Sequence, residues 1–174
     1  WRDVYQNYNY CSYAEMQSAY SIPTLSIIQY LSSILVMEHP SITLSWLSGW
    51  KLYDRNGNLD GYKQVGKQWV IESLKRRKGV SKSQQIITLN QYTKRVVELI
   101  INLTKFARDY LKDQNDERYR YTLLYCNGSS VELFSSCGFA QKILGLIHDP
   151  IKLHDTSKRI TKNEAAELAR LITF

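Results

Sequence analysis

Apolar residues recur at intervals of three and four positions along residues 23–38, which is the spacing that lines one face of an α-helix. Pro23 is compatible with the first helical turn, and Pro40 is expected to end the helix. A second, shorter helix is predicted at about 40–48. The apolar positions that carry the two predictions are Leu25, Ile28, Leu31, Ile34 and Leu35, and then Ile42, Leu44, Trp46 and Leu47.

Residues 50–89 change to short stretches separated by turn signals, since Asn56-Gly57 and Asp60-Gly61 are dipeptides that favour turns. The pattern predicts two or three antiparallel strands, which would lie at 50–54, at 61–65 or 68–74, and at 84–89.

Side chains alternate between the two faces of an extended strand. This alternation divides the residues of 68–74 into two sets. One face would carry Trp69, Ile71 and Ser73, and the other would carry Val70, Glu72 and Leu74.

The clearest helical pattern follows Asn90, which is a good N-cap residue, and runs over residues 91–111. Its expected apolar face consists of Val96, Leu99, Ile100, Leu103, Phe106, Ala107 and Tyr110.

Further along, residues 119–126 suit a strand or the start of another helix, and Asn127-Gly128 suits a turn. A helix is expected from about 137. Thr161 and Glu164 have the spacing of a capping box ahead of a last helix.

The order of elements predicts one α+β domain over residues 1–174, mostly helical, with a small antiparallel sheet of two to three strands in the middle. The chain starts at Trp1 and stops at Phe174 within a helical pattern. We therefore expect a fragment of a longer protein.

The composition narrows the class of partner. Hydrophobic residues make up 44% of the chain, as in globular proteins, and 23 Lys and Arg against 16 Asp and Glu give a net charge of +7. That surplus favours an anionic partner such as nucleic acid. The most apolar stretch, 24–37, is too short to span a bilayer, and no signal-peptide pattern is present. We expect a cytoplasmic protein without a membrane partner.

The cysteines and histidines do not have the spacing of metal ligands, so no metal and no cofactor are expected. The cysteines are interpreted as reduced thiols. Residues 54–61 alternate acidic and amide side chains, but Leu59 and Val65 stand where a calcium-binding loop needs glycine and glutamate. A hairpin turn is the better interpretation. The tyrosine-rich residues 1–21 fit a packing face better than a base-stacking surface.

Five cations lie close together between two predicted strands, in the sequence "VIESLKRRKGVSKSQQIITLN" (70–90). We call residues 75–82 the basic segment; its cations are Lys75, Arg76, Arg77, Lys78 and Lys82. A solvated turn is one explanation. The other is phosphate binding, because a hairpin holds forked arginine donors and lysine point charges on a rigid support.

The segment "SLKRRKGVSKSQQIITLNQYTKRVVELI" resembles part of the catalytic domain of tyrosine recombinases, also called phage integrases, and of large, divergent bacterial integrase-like proteins. The resemblance covers roughly residues 23–126. It implies a recombinase-like catalytic domain from a mobile element that binds duplex DNA. It also implies possible self-association of the full-length parent.

In that family a lysine of the strand-turn-strand is the general acid toward the leaving 5′ oxygen. The resemblance places this role on Lys75, with Lys78 as the alternative, and it makes Arg76, Arg77, Lys78 and Lys82 candidate phosphate ligands. A family arginine is expected near residues 41–43, where this chain has Ser41, Ile42 and Thr43.

The family's later His-x-x-Arg and nucleophilic tyrosine are not recognisable. The chain alone is therefore not expected to cleave DNA. The alternative interpretations are a non-catalytic nucleic-acid-binding or protein-interaction module, and a helical adaptor whose cations are solvated.

Overall fold

The computed structural model describes residues 22–75, 83–128, 130–135 and 139 of the chain, and these form helices and two small antiparallel sheets. This confirms the α+β class. In chain order the elements are α1 (Leu25–Glu38), α2 (Leu44–Gly49), β1 (Tyr62–Val65), β2 (Gln68–Lys75), β3 (Ser83–Leu89), α3 (Gln91–Leu103), α4 (Lys105–Asp113), a 3-10 turn (Glu117–Arg120), β4 (Leu124–Cys126) and β5 (Val131–Leu133). Within these ranges, the helices are too short or too polar to cross a membrane.

Threonine side chains begin the first two helices. Thr24 and Thr43 both have extended backbones, and each hydroxyl accepts a hydrogen bond from the backbone N–H three residues later. The prediction that the second helix begins at about residue 40 was wrong by four residues. Its apolar spacing extends upstream of Leu44, but Thr43 supplies the cap that sets the start.

Three strands form the central sheet in the order β1-β2-β3, and both pairings are antiparallel. The sequence predicted a strand at 61–65 or at 68–74, and the structure has a strand at each of these places. The predicted strand at 50–54 was wrong, because in that range Lys51 and Tyr53 form only isolated bridges with Tyr121 and Leu59.

Residues 54–58 form a turn, as predicted, and side-chain hydrogen bonds stabilise it. The carboxylate of Asp54 accepts the backbone N–H groups of Asn56 and Asn58, both at 2.8 Å. Gly57 has a positive φ of 82°, which glycine adopts without strain.

Asn90 begins α3 as predicted, with a reciprocal pair of hydrogen bonds to Thr93. The long helix expected over 91–111 is instead two helices, because it breaks at Thr104. The hydroxyl of Thr104 donates to the Ile100 carbonyl at 2.6 Å, and the guanidinium of Arg108 donates to Thr104 and to the Ile101 carbonyl. In a continuous helix the Ile101 carbonyl would accept from residue 105.

The predicted apolar face of that helix was therefore only partly right. Val96, Ile100 and Ala107 are buried, and Leu103 is partly buried. The expectation was wrong for three others, which are exposed on the outer side of the two helices: Leu99, Phe106 and Tyr110.

The main hydrophobic core lies between α1, α2, α3 and the inner face of the central sheet. Its largest fully buried side chains include Trp46 and Trp50, whose ring centroids are 5.4 Å apart. A second, smaller core packs α4 against the β4–β5 hairpin. That hairpin turns at Asn127-Gly128, as predicted, but its second strand was not foreseen.

Candidate nucleic-acid interface

Of the basic segment the structure describes the first residue, Lys75, and it also describes Ser83, which directly follows the segment. Lys75 is the last residue of β2 and its backbone pairs with Ser83, the first residue of β3. The predicted antiparallel strands on both sides of the cations are thus confirmed. The candidate phosphate ligands Arg76, Arg77, Lys78 and Lys82 fall outside the described residues, as does the alternative acid Lys78.

The strands that carry the basic segment extend beyond the rest of the sheet. β1 pairs with β2 only as far as Ile71, which is opposite Tyr62. Beyond that point the backbone N–H of Glu72 still donates to the Gly61 carbonyl at 3.2 Å, and β2 continues to pair with β3, from Glu72 opposite Ile86 to Lys75 opposite Ser83. We call residues 72–75 and 83–86 the distal hairpin.

Helix α2 supports the inner face of the distal hairpin through two cross-strand neighbours, Ser73 and Gln85. The Ser73 hydroxyl donates to the Trp46 carbonyl at 2.9 Å, and the Trp46 indole N–H donates to the Gln85 carbonyl at 3.4 Å. The Gln85 amide donates to the Ser41 carbonyl at 3.3 Å. The base of the hairpin is therefore fixed to the body of the domain.

The opposite, outer face of the hairpin carries Glu72 and Ile86, which are direct cross-strand neighbours. Lys63 neutralises Glu72 with an Nζ–Oε2 distance of 2.8 Å, and it also bonds Asp60 at 2.8 Å. The pKa of Lys63 is raised, mainly by its hydrogen bond to Asp60 and next by its hydrogen bond to Glu72, so the ammonium group stays charged. The other Glu72 oxygen, Oε1, is buried and accepts no hydrogen bond in the described part of the chain.

The positions where the recombinase resemblance expects an arginine lie beside the distal hairpin. Ser41 contributes its carbonyl to Gln85, Ile42 is buried in the core, and the Thr43 hydroxyl caps α2. The fold therefore brings this stretch close to the strand ends that bound the basic segment. Its side chains do not supply a cation there.

Where the hairpin joins α3, four polar groups connect two helices. Glu38 accepts a hydrogen bond from Asn90 at 3.1 Å, and the His39 ring nitrogen Nε2 lies 3.1 Å from the Thr93 hydroxyl. Burial lowers the pKa of His39, although the neighbouring carboxylate of Glu38 acts in the opposite direction. The C-terminal end of α1 is thus tied to the residues that directly follow β3.

Several other described cations already have partners. Asp116 holds Arg118 at 2.7 Å and raises its pKa, and Glu117 holds Arg120 at 2.9 Å. Lys94 lies 4.6 Å from the centre of the Trp69 ring and 3.5 Å from Glu98. These contacts make such residues weaker candidates for binding a polyanion than the basic segment, whose sequence contains no acid.

Sequence reasoning did not assign Gln85 and Ile86 to the two faces of the distal hairpin. The signal for Ile86 was present, because it alternates with the buried Ile87 and so belongs to the outer face. The contact of Gln85 with Ser41 joins residues far apart in the chain and leaves no local pattern.

No protein-family model, curated protein or solved structure matches the chain. Among the described residues, none of the histidines, cysteines, aspartates and glutamates group in a way that could hold a metal ion.

Proposed function

We propose that this chain binds duplex DNA through phosphate contacts made by the basic segment at the end of the distal hairpin. The observation that carries the proposal is the pairing of Lys75 with Ser83 at the end of strands that α2 holds in place. Five cations thus occur within eight residues, starting at an anchored strand end.

The anchoring of the strand ends matters because phosphate binding must offset the conformational entropy that the bound side chains and backbone lose. Each cation that neutralises a phosphate releases condensed counterions, so the affinity of such a cluster falls steeply as salt rises. Arginine can offer two parallel donors to one phosphate, whereas lysine offers a compact point charge. The mixture in the basic segment suits contacts with successive phosphates and carries no sequence information by itself.

The recombinase-like class is part of the proposal. Two helices, a three-stranded antiparallel sheet and a following helix occur in the order that the resemblance implies. Residues 41–43, where the family arginine is expected, lie beside the hairpin, but they are Ser41, Ile42 and Thr43 and supply no cation. In this view Lys75, or alternatively Lys78, is the general acid for the leaving 5′ oxygen, a role that the resemblance alone suggests.

A second candidate function, DNA binding without strand cleavage, is favoured by one observation. At the expected arginine position, Ile42 is buried and the Thr43 hydroxyl is occupied as a helix cap. A side chain that stabilises charge on the scissile phosphate is therefore missing from this stretch. Incubation with supercoiled plasmid tests this function: DNA that stays supercoiled is expected, and nicked or relaxed DNA would contradict it.

The binding proposal is tested by fluorescence anisotropy with a labelled duplex of about 25 base pairs, since sequence-independent contacts need only a modest length of DNA. We expect a dissociation constant in the micromolar range or weaker at physiological salt, and tighter binding at low salt. An affinity that does not change with salt would rule out the phosphate contacts.

Lys75→Ala separates the two roles of that residue. If Lys75 binds a phosphate, the variant is expected to bind the duplex more weakly. If Lys75 acts only as a proton donor, the affinity of the variant for the duplex is expected to be unchanged.

A further inference from the structure

We propose that one side of α3 and α4 binds the same side of a second copy of the chain, with the two copies antiparallel. This inference goes beyond the proposed function and does not depend on it, because it concerns neither DNA nor the basic segment. It starts from exposed residues that follow both helices at intervals of three and four positions. We call this surface the α3–α4 stripe; it consists of Tyr92, Arg95, Leu99, Asn102, Phe106 and Asp109.

The apolar members of the stripe are exposed and regularly spaced. Tyr92, Leu99 and Phe106 follow one another at intervals of seven residues, and their exposed fractions are 54%, 46% and 60%. Single exposed apolar residues are common on protein surfaces, whereas a contiguous set of large ones is typical of an interaction site. A spacing of seven residues places side chains on nearly the same side of a helix, as in the seam between two paired helices.

The break at Thr104 does not end the stripe. The backbone N–H of Thr104 donates to the Ile100 carbonyl and that of Arg108 donates to the Thr104 carbonyl, each at 3.0 Å, so the four-residue spacing of a helix is kept on both sides of the break. Exposure also stays in phase, because the members of the stripe are exposed in both helices while Ile100, Thr104 and Ala107 are buried. The stripe is therefore a single surface about 26 Å long.

The charges at the two ends of the stripe are opposite. Arg95 lies near its N-terminal end and Asp109 lies at its C-terminal end, and both residues are exposed. Among the residues that the structure describes, neither side chain is part of an ion pair. A parallel second copy would bring like charges together, but an antiparallel copy brings Arg95 close to Asp109 at both ends. The stripe is therefore complementary to itself in the antiparallel orientation, as an interface with two-fold symmetry requires.

The antiparallel arrangement gives the polar members of the stripe specific partners. With the two-fold axis at the middle of the stripe, Leu99 lies next to the axis and Arg95 faces the ring of Phe106 of the second copy, which attracts a cation. Asp109 of the second copy lies one turn, about 4.5 Å, further along its helix. Its carboxylate can accept hydrogen bonds from Arg95 and from the hydroxyl of Tyr92.

The size of the stripe limits the strength of the dimer. A single row of helix residues presents less surface than the roughly 800 Å² per partner of a standard interface. We therefore expect a weak dimer, with a dissociation constant of about 10–100 μM. Sedimentation equilibrium of the full chain without DNA, at protein concentrations that span this range, measures the dissociation constant.

Substitution at the centre of the stripe tests its apolar contact. Leu99→Glu places two carboxylates next to each other at the two-fold axis and is expected to raise the dissociation constant about tenfold or more. Met37→Glu is the matched control, because Met37 is an apolar residue of helix α1 with an exposed fraction of 70% and the substitution changes the net charge equally. The control is expected to change the dissociation constant by less than about twofold.

Arg95 and Asp109 provide a test that a misfolded variant cannot imitate. Arg95→Asp and Asp109→Arg each replace two attractive contacts by two repulsive ones, so each variant alone is expected to dimerise about tenfold more weakly or worse. An equimolar mixture of the two variants restores opposite charges between unlike chains, and heterodimers with nearly wild-type affinity are expected. The double variant Arg95→Asp/Asp109→Arg is expected to form homodimers again.

A wild-type chain that stays monomeric at concentrations about tenfold above the expected range would overturn the proposal. A dimer that Leu99→Glu and Met37→Glu weaken equally would also overturn it, as would single charge variants that do not associate when mixed. Restored association in the mixture supports the antiparallel contact, because a second chain cannot restore a contact within one chain. The proposed DNA binding is unaffected by any of these results, since its test is the salt dependence of duplex affinity.

Discussion

The hydroxyl of Ser73 donates a buried hydrogen bond of 2.9 Å to the backbone carbonyl of Trp46. This contact joins the distal hairpin to helix α2 across 27 residues of sequence. It fixes the strand that ends at Lys75, so it connects the stability of the domain with the position of the proposed DNA contacts.

Replacing Ser73 by alanine is expected to lower the free energy of unfolding by about 1–3 kcal/mol, because the buried Trp46 carbonyl loses its donor. Chemical denaturation of wild type and variant measures the difference. Ser48→Ala is the matched control, since Ser48 makes the same type of bond, to the Ser45 carbonyl at 3.2 Å, on the surface. A loss at Ser48 as large as the loss at Ser73 would contradict the structural role given to the buried bond.

A second prediction concerns Gly61, where the chain passes close to another backbone segment. A Cβ at this position would lie 1.8 Å from the carbonyl oxygen of Lys51. Because backbone atoms cannot move aside cheaply, Gly61→Ala is expected to destabilise the domain by about 3 kcal/mol or more, or to prevent folding. Thermal unfolding followed by circular dichroism measures this.

Gly66 supplies the comparison for Gly61. A Cβ there meets nothing within 4 Å, but the φ of 60° is a left-handed conformation. Gly66→Ala should therefore cost only about 1–2 kcal/mol. If both substitutions proved equally mild, the close approach of Lys51 to Gly61 would be incorrect.

A third prediction follows from His39, whose pKa is lowered by burial from its usual value of 6.5. Below about pH 6.5 the unfolded chain takes up a proton at this position more readily than the folded chain does. The contribution of His39 to stability is therefore complete above pH 6.5 and is lost as pH falls from there toward the lower pKa of the folded state. Unfolding free energies at pH 7.5 and pH 5.5 should differ more in wild type than in His39→Gln. An identical pH dependence in the two proteins would contradict the effect of burial.

The hydrogen bonds around His39 indicate which nitrogen carries its proton. The Thr93 hydroxyl has one hydrogen, which suits the side-chain oxygen of Asn90 at 3.0 Å, and it accepts the Asn90 backbone N–H at 3.1 Å. It can then accept a second bond from Nε2–H of His39 at 3.1 Å. Neutral His39 is thus expected to be the Nε2–H tautomer, and NMR of the ring nitrogens can determine it.

Local signals in the sequence predicted the parts of the fold that depend on neighbouring residues. Asn90 is a helix cap because its side chain reaches the N–H three residues later, and the alternation in β2 was enough to divide its side chains between two faces. The turn at Gly57 and the α+β class followed from the same kind of reasoning.

The parts that sequence reasoning missed depend on distant contacts. The break at Thr104 interrupts a helical pattern that has no breaker residue, and it is stabilised where the Thr104 hydroxyl approaches the Thr122 carbonyl at 3.3 Å. Likewise, the bonds that hold Ser73 and Gln85 against α2 involve residues 27 and 44 positions away. The candidate site shows the same division, since the cations were visible in the sequence but the contacts that fix the hairpin to α2 were not.

The central claim is most directly tested by the salt dependence of duplex binding in two variants of equal charge. Arg76→Ala/Arg77→Ala and Arg55→Ala/Lys67→Ala both reduce the net charge from +7 to +5, and Arg55 and Lys67 are exposed residues outside the basic segment. We predict that the first pair weakens binding and lowers the magnitude of the salt slope by about 1.8, as expected when two phosphate contacts are lost, while the second pair leaves the slope unchanged. Equal slopes in the two variants would contradict the claim that the basic segment binds the DNA backbone.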